Sequence, residues 1–183
     1  QDLARSHRAQ LNIPVLAITG SNGKTTTKEL INAVLKSKYN TFATPGNLNN
    51  HISLPLSVLR IKQGHEVAVL EIGANHVNEN RLLTSICQPT HGLTTNIGKD
   101  HMGEFGGMQG IINAYLEFMD YFKDNKGKTF IFNADDPNLV ANTGGIEHLV
   151  PFGMGKQSRA DFHGSADLGG LLLKIDIFHK RDI

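Results

Sequence analysis

The chain has 183 residues, 18 Lys and Arg against 17 Asp and Glu, a formal net charge of +1 and one cysteine. This length suits one domain with a core of its own, and the interspersed charges argue against a nucleic-acid groove or a membrane-surface patch. Cys87 has no partner for an internal disulfide, no apolar run approaches the roughly 20 residues of a membrane span, and the N-terminus lacks a signal-peptide core, so a cytoplasmic domain without membrane insertion is expected.

Residues 1–14, QDLARSHRAQLNIP, read as a polar helical lead-in to a buried strand at Val15–Thr19. Helical spacing follows over 25–37, with Leu30, Ile31, Val34 and Leu35 predicted on one face. A short strand at 41–44 ends at Pro45-Gly46, and 52–61 reads as a helix with Pro55 in its first turn. The run 66–72, EVAVLEI, is a second strong strand. A short helix is predicted at 80–87, a strand at 92–96, a long helix at 108–122, a buried strand at Thr129–Asn133 and a short helix at Pro137–Asn142. Strands of about five residues alternating with helices imply βαβ units, hence an α/β fold with a doubly wound, mostly parallel sheet covered on both faces. Beyond Gly153, ADFHG and GLLLKIDIF suit a short antiparallel β segment. We expect one domain over 1–153 with a β-rich extension over 154–183, cut from a longer protein.

The junction of the first strand and helix carries the chemistry. In TGSNGKTT, Gly20 and Gly23 permit close backbone approach, Lys24 supplies charge, and Thr25 and Thr26 supply hydroxyls where a helix starts. The general phosphate-loop pattern has four residues between its glycines; here only Ser21 and Asn22 intervene. A Gly-rich turn with a surface lysine is the competing reading. Downstream, PGNLNN holds Asn47, Asn49 and Asn50, whose amides both donate and accept, or form no more than an Asn-rich turn. Glu71 closes a strand beside the loop, well placed to hold magnesium if it is not merely solvated. NIGKDH presents Asn96, Gly98 and His101, and NADDPN presents Asn133, Asp135 and Asp136, the last pair also suited to an Asp-Pro turn capping a helix.

In this order the motifs resemble the Mur ligase family, the ATP-dependent amide-bond-forming enzymes of peptidoglycan synthesis, over residues 3–150. GNLNN is most similar to the branch that adds D-alanyl-D-alanine. The resemblance implies the family's central ATP-binding domain, acting in the bacterial cytoplasm. Domains completing the UDP-N-acetylmuramoyl-peptide and amino-acid sites would flank it, so the isolated chain is expected to be inactive. It implies ATP on Gly20–Thr26, Asn96, Asn133 and Asp135, with Asp136 a weaker match, and catalytic roles for Lys24, Glu71 and His101. Magnesium would lie on Thr25 or Thr26, Glu71 and His101, and Asn47, Asn49 and Asn50 would form the substrate-side loop.

The sequence departs from the family at two points. Where the family's long helix carries a carbamylated lysine that helps hold a second magnesium, this chain has Tyr115; HMGEFGG also transposes the family's Glu and Gly after the histidine. Tyr115 is expected to point toward Glu71 and His101, with water or Glu117 filling in, or else to pack with its hydroxyl on a neighbouring loop. Two other functions compete: a Mur-ligase-like paralogue serving as a nucleotide-binding or regulatory module, and an unrelated P-loop kinase or GTPase. The absence of a guanine-reading N-K-x-D and the presence of GNLNN disfavour the latter.

Overall fold

The computed structural model describes residues 1–99, 103–154, 160–167 and 174–179. The helices are α1 (Asp2–Ala9), α2 (Lys24–Leu35), α3 (Ser53–Leu59), α4 (Glu79–Cys87), α5 (Met108–Asp124) and α6 (Pro137–Asn142). The strands are β1 (Val15–Thr19), β2 (Thr41–Ala43), β3 (Val67–Glu71), β4 (His91–Thr94), β5 (Thr129–Asn133), β6 (His148–Gly153), β7 (Phe162–Asp167) and β8 (Lys174–His179). They form one sheet in the order β2-β3-β1-β4-β5-β6-β7-β8. Pairing is parallel from β2 to β7 and antiparallel between β7 and β8. The chain works outward from β1 in both directions, so β1 and β4 flank the point where strand order reverses, and a crevice opens beyond their carboxyl ends.

The two faces of the sheet are covered unequally. One carries the main core, into which α5 sends Ile111, Ala114, Phe118 and Phe122 at helical spacing. Phe122 meets Phe118 and Phe130 at ring separations of 5.2 and 5.3 Å. The lead-in belongs to this core. Ala4 of α1 is buried, and the buried Arg8 guanidinium donates to the carbonyls of Cys87, Gln88 and Leu11, satisfying the C-terminal end of α4. Burial lowers the Arg8 pKa, and it pushes the Cys87 thiol up to about 12, so this cysteine is a packed apolar group and not a nucleophile.

The other face packs a small cluster, Ile18, Val69 and Leu93, under α2, with Ile31 and Leu35 partly buried against it. Here the expected helix face is corrected. Leu30 and Val34 are exposed, while Lys28 and Asn32 are buried. Polar residues win these positions because each has a partner at the sheet edge: Thr41 donates to Asn32 Oδ1 at 2.8 Å, and Lys28 donates to the Thr44 carbonyl at 2.7 Å. Beside α2 an apolar groove of about 580 Å3, lined by Leu16, Ile31, Leu35, Val67 and Ile131 among others, leaves this face only partly covered.

Candidate functional site

All parallel strands deliver their carboxyl ends to one edge, which gathers the loop after β1, Glu71 at the end of β3, residues 95–98 after β4 and Asn133 at the end of β5. The first loop needs glycine at position 20. There φ is +132°, and a Cβ would lie 2.0 Å from Thr95 Oγ1. The segment after β4 then braces the loop. Ser21 N–H donates to the Asn96 carbonyl (3.0 Å), Asn22 N–H to Asn96 Oδ1 (3.1 Å), Gly98 N–H to Ser21 Oγ (2.7 Å) and Thr95 Oγ1 to the Asn22 carbonyl (2.7 Å). Gly23 is the N-cap of α2, whose first-turn amides and positive dipole end open at the same place. Lys24 Nζ lies over the loop, donating to the carbonyls of Gly20 (2.6 Å) and Ser21 (3.0 Å).

On the β3 side Glu71 is 1% exposed. Its Oε1 accepts from Thr25 Oγ1 (3.1 Å) and Asn49 Nδ2 (2.8 Å), while Oε2 has no hydrogen-bond partner among the described residues. Thr25 is thus the hydroxyl turned to the carboxylate; Thr26 is exposed. Gly73 lets the Asn49 segment approach: its N–H donates to the Asn49 carbonyl (2.9 Å), and a Cβ there would stand 2.6 Å from the Asn49 side chain. Asn50 instead ties the start of α3, its Oδ1 accepting from Ile52 and Ser53 N–H, and Asn47 is exposed in the turn. The three asparagines therefore divide their work, and only Asn49 reaches Glu71.

On the α5 side Tyr115 lines a cavity of about 120 Å3 with Thr19, Gly20, Ser21, Lys24, Asn49 and Asn75. Its hydroxyl lies 3.3 Å from Ser21 Oγ, so the phenol packs against the phosphate loop and bonds to it. Glu117 is corrected as a substitute ligand: its Oε1 accepts the Asn78 N–H (2.7 Å) and its Oε2 the Arg81 N–H (3.2 Å), which commits it to the N-terminus of α4. His101 lies outside the described residues.

Beyond β5, Asn133 Oδ1 accepts the Asp135 N–H (2.9 Å), and Asp135 Oδ2 accepts the Met154 N–H (2.6 Å). Asp136 caps α6 through Asn138 and Leu139 N–H, as its Asp-Pro turn predicts, and its Oδ2 accepts the Ile97 N–H at 2.6 Å. It joins α6 to the segment that braces the phosphate loop. Sequence reasoning passed over two groups here. One is Lys28, whose signal is its i+3 spacing from Thr25 on the same helix face. The other is Glu79, which bonds His51 Nδ1 (2.7 Å) and the N–H groups of Asn75 and His76. Burial works to raise the Glu79 pKa, but those backbone donors and His51 outweigh it and hold the carboxyl below its ordinary range.

A carboxylate with an unbonded oxygen and a hydroxyl beside a phosphate loop form a hard-oxygen donor set of the kind magnesium takes together with phosphate and water. Among the described residues no three His, Cys, Asp or Glu side chains converge to hold a metal by themselves.

The profile of the Mur ligase middle domain matches residues 18–172. A UDP-N-acetylmuramoyl-tripeptide–D-alanyl-D-alanine ligase of Bacillus subtilis (strain 168) is 42% identical over 139 residues, 76% of this chain and 30% of that protein. The crystal structure of MurF from Acinetobacter baumannii superposes with a TM-score of 0.88 at 31% identity, covering 98% of this chain and 39% of that one. The MurF ligase from Thermotoga maritima in complex with ADP gives a TM-score of 0.85 at 30% identity, covering 96% and 40%. The chain spans well under half the length of these relatives.

Proposed function

Because the chain belongs to the Mur ligase family, as its middle domain, we propose that it is the ATP-binding part of a bacterial cytoplasmic ligase joining D-alanyl-D-alanine to a UDP-N-acetylmuramoyl-tripeptide. In that reaction the tripeptide's terminal carboxylate attacks the γ-phosphorus of ATP, ADP leaves, and an acyl phosphate forms. The dipeptide amine then attacks the acyl carbon, losing a proton as inorganic phosphate departs and the amide forms. The phosphoryl step asks the protein mainly for positioning and charge.

Lys24 swings from the loop carbonyls to the β/γ oxygens, and the amides at the start of α2 face the phosphates. Thr25 and Glu71 would hold one magnesium, and His101 would help to hold a second. When bound, the metal supplies neutralisation of the charge that develops on the transferring phosphoryl group. Asn49 keeps the Glu71 carboxylate in place from the substrate-side loop. Asn96 braces the phosphate loop, and Asn133 and Asp135 form the edge toward adenine and ribose.

The observation that carries this reading is the Thr25–Glu71 hydrogen bond, which joins the helix after the phosphate loop to a buried carboxylate on the neighbouring strand. The full-length protein is expected to release phosphate from ATP only when magnesium, the UDP-linked tripeptide and D-alanyl-D-alanine are all present. Phosphate release indifferent to the tripeptide and dipeptide would overturn the ligase assignment. The regulatory-module reading draws on Tyr115 alone, and it expects nucleotide binding with no such turnover.

A further inference from the structure

Lys28 is among the largest fully buried side chains of the described residues, at 0% exposure, yet it lies one turn from the phosphate loop. Its ammonium donates to the carbonyls of Thr44 (2.7 Å) and Gly46, and it pairs with Glu29 Oε1 at 3.0 Å. Glu71 Oε2 is 3.8 Å away, close enough for charge attraction and too far for a hydrogen bond. The three protons of the ammonium are thus directed elsewhere, and Oε2 keeps its lone pairs. Thr44, held by Lys28 through its carbonyl, accepts the Glu71 N–H on its own Oγ1 (3.1 Å). Five residues on, Asn49 reaches Glu71 Oε1.

We propose that Lys28 is a positioning residue that locks the Glu71 carboxylate and the 44–50 turn into one unit, so that magnesium–nucleotide binding and the order of the substrate-side loop are coupled through it. Being wholly buried, it touches no substrate. It acts by fixing where Thr44, Gly46 and Asn49 stand relative to Glu71, while leaving one carboxylate oxygen unbonded. Without it two carbonyls lose their donor and the turn loses its anchor to α2. The inference rests on reading residues 20–26 as the nucleotide loop and Glu71 as a magnesium ligand.

The test is ADP titration by calorimetry, with and without magnesium, and amide hydrogen exchange at 44–50, both on the full-length protein. In Lys28→Met, metal-free ADP affinity should stay within about threefold of wild type, while the factor by which magnesium tightens ADP falls roughly tenfold or more, the usual scale for a group that orients a metal ligand. Exchange at 44–50 should quicken and no longer respond to magnesium–ADP. Lys28→Arg, keeping charge and donors, should recover part of both effects. Lys28→Gln serves if the methionine variant does not fold, with the same expectation. Wild-type magnesium coupling and exchange in either neutral variant would overturn the proposal. So would failure of magnesium–ADP to slow exchange at 44–50 in the unmodified protein, whatever the variants do. Lys24→Ala separates the two ideas: if it still binds ADP normally, the nucleotide-loop reading fails.

Discussion

The two sides of the phosphate loop are built differently. Toward β3, Glu71 is buried between Thr25 and Lys28 of α2 and Asn49 of the 44–50 turn, so its carboxylate is oriented by three neighbours from two segments of the chain. Toward α5, the neighbour is the Tyr115 phenol, which brings no charge at neutral pH and donates to or accepts from Ser21. The acid nearest to it along the helix, Glu117, is turned away to cap α4. One side therefore presents a buried carboxylate beside a hydroxyl, and the other presents a phenol bonded to the loop. A shared loop does not oblige both of its flanks to hold a cation equally well.

Lys24→Ala should break both sides at once, because on the proposed reading its ammonium would serve the nucleotide phosphates. We expect nucleotide affinity to fall roughly 100-fold, about 2.7 kcal/mol, by calorimetry, with the melting temperature of the nucleotide-free protein unchanged. Glu71→Gln breaks only the β3 side. Magnesium should then tighten ADP binding roughly 10- to 100-fold less than in wild type, while binding without metal survives; an unchanged magnesium effect would mean that Glu71 does not hold the ion.

Much of this contrast was legible in the sequence, and the illegible parts have physical reasons. TGSNGKTT marked the loop because glycine, lysine and hydroxyl sit at a strand–helix junction, and GNLNN marked Asn47, Asn49 and Asn50 together, of which Asn49 reaches Glu71. The face of α2 was half misread: Ile31 and Leu35 pack on the sheet, but Leu30 and Val34 are exposed, because Lys28 and Asn32 find hydrogen-bond partners at the β2 edge and win the burial. Strand β6 escaped notice because Pro151 interrupts its pattern; proline gives no ladder donor, and its carbonyl still accepts the Asp161 N–H. Glu117 could not be placed from spacing, since its partners are backbone amides some 36 to 39 residues away.

Asp136→Ala sharpens the comparison from the α5 side by loosening the segment after β4. Losing the α6 cap and the Ile97 bond should cost about 1–2 kcal/mol, read as a drop of several degrees in melting temperature at roughly 2–4 °C per kcal/mol for a chain of this size. An unchanged melting temperature would show that the brace carries no stability. Tyr115→Lys asks whether the neutral flank can be charged. Magnesium affinity with ADP bound should rise about threefold to tenfold, on the scale of one added charged ligand, and only in bicarbonate, which would carbamylate the new amine. Tyr115→Phe removes the hydroxyl that bonds Ser21 and should cost about 1 kcal/mol, with no bicarbonate response.

The inequality of the two flanks is tested most directly by counting metal ions. Manganese, a spin probe for the magnesium positions, is titrated into the full-length protein saturated with ADP and followed by paramagnetic resonance. The account predicts one tightly held ion and a second held at least about tenfold more weakly, as a lost negative ligand requires. Two ions of equal, tight affinity would contradict it.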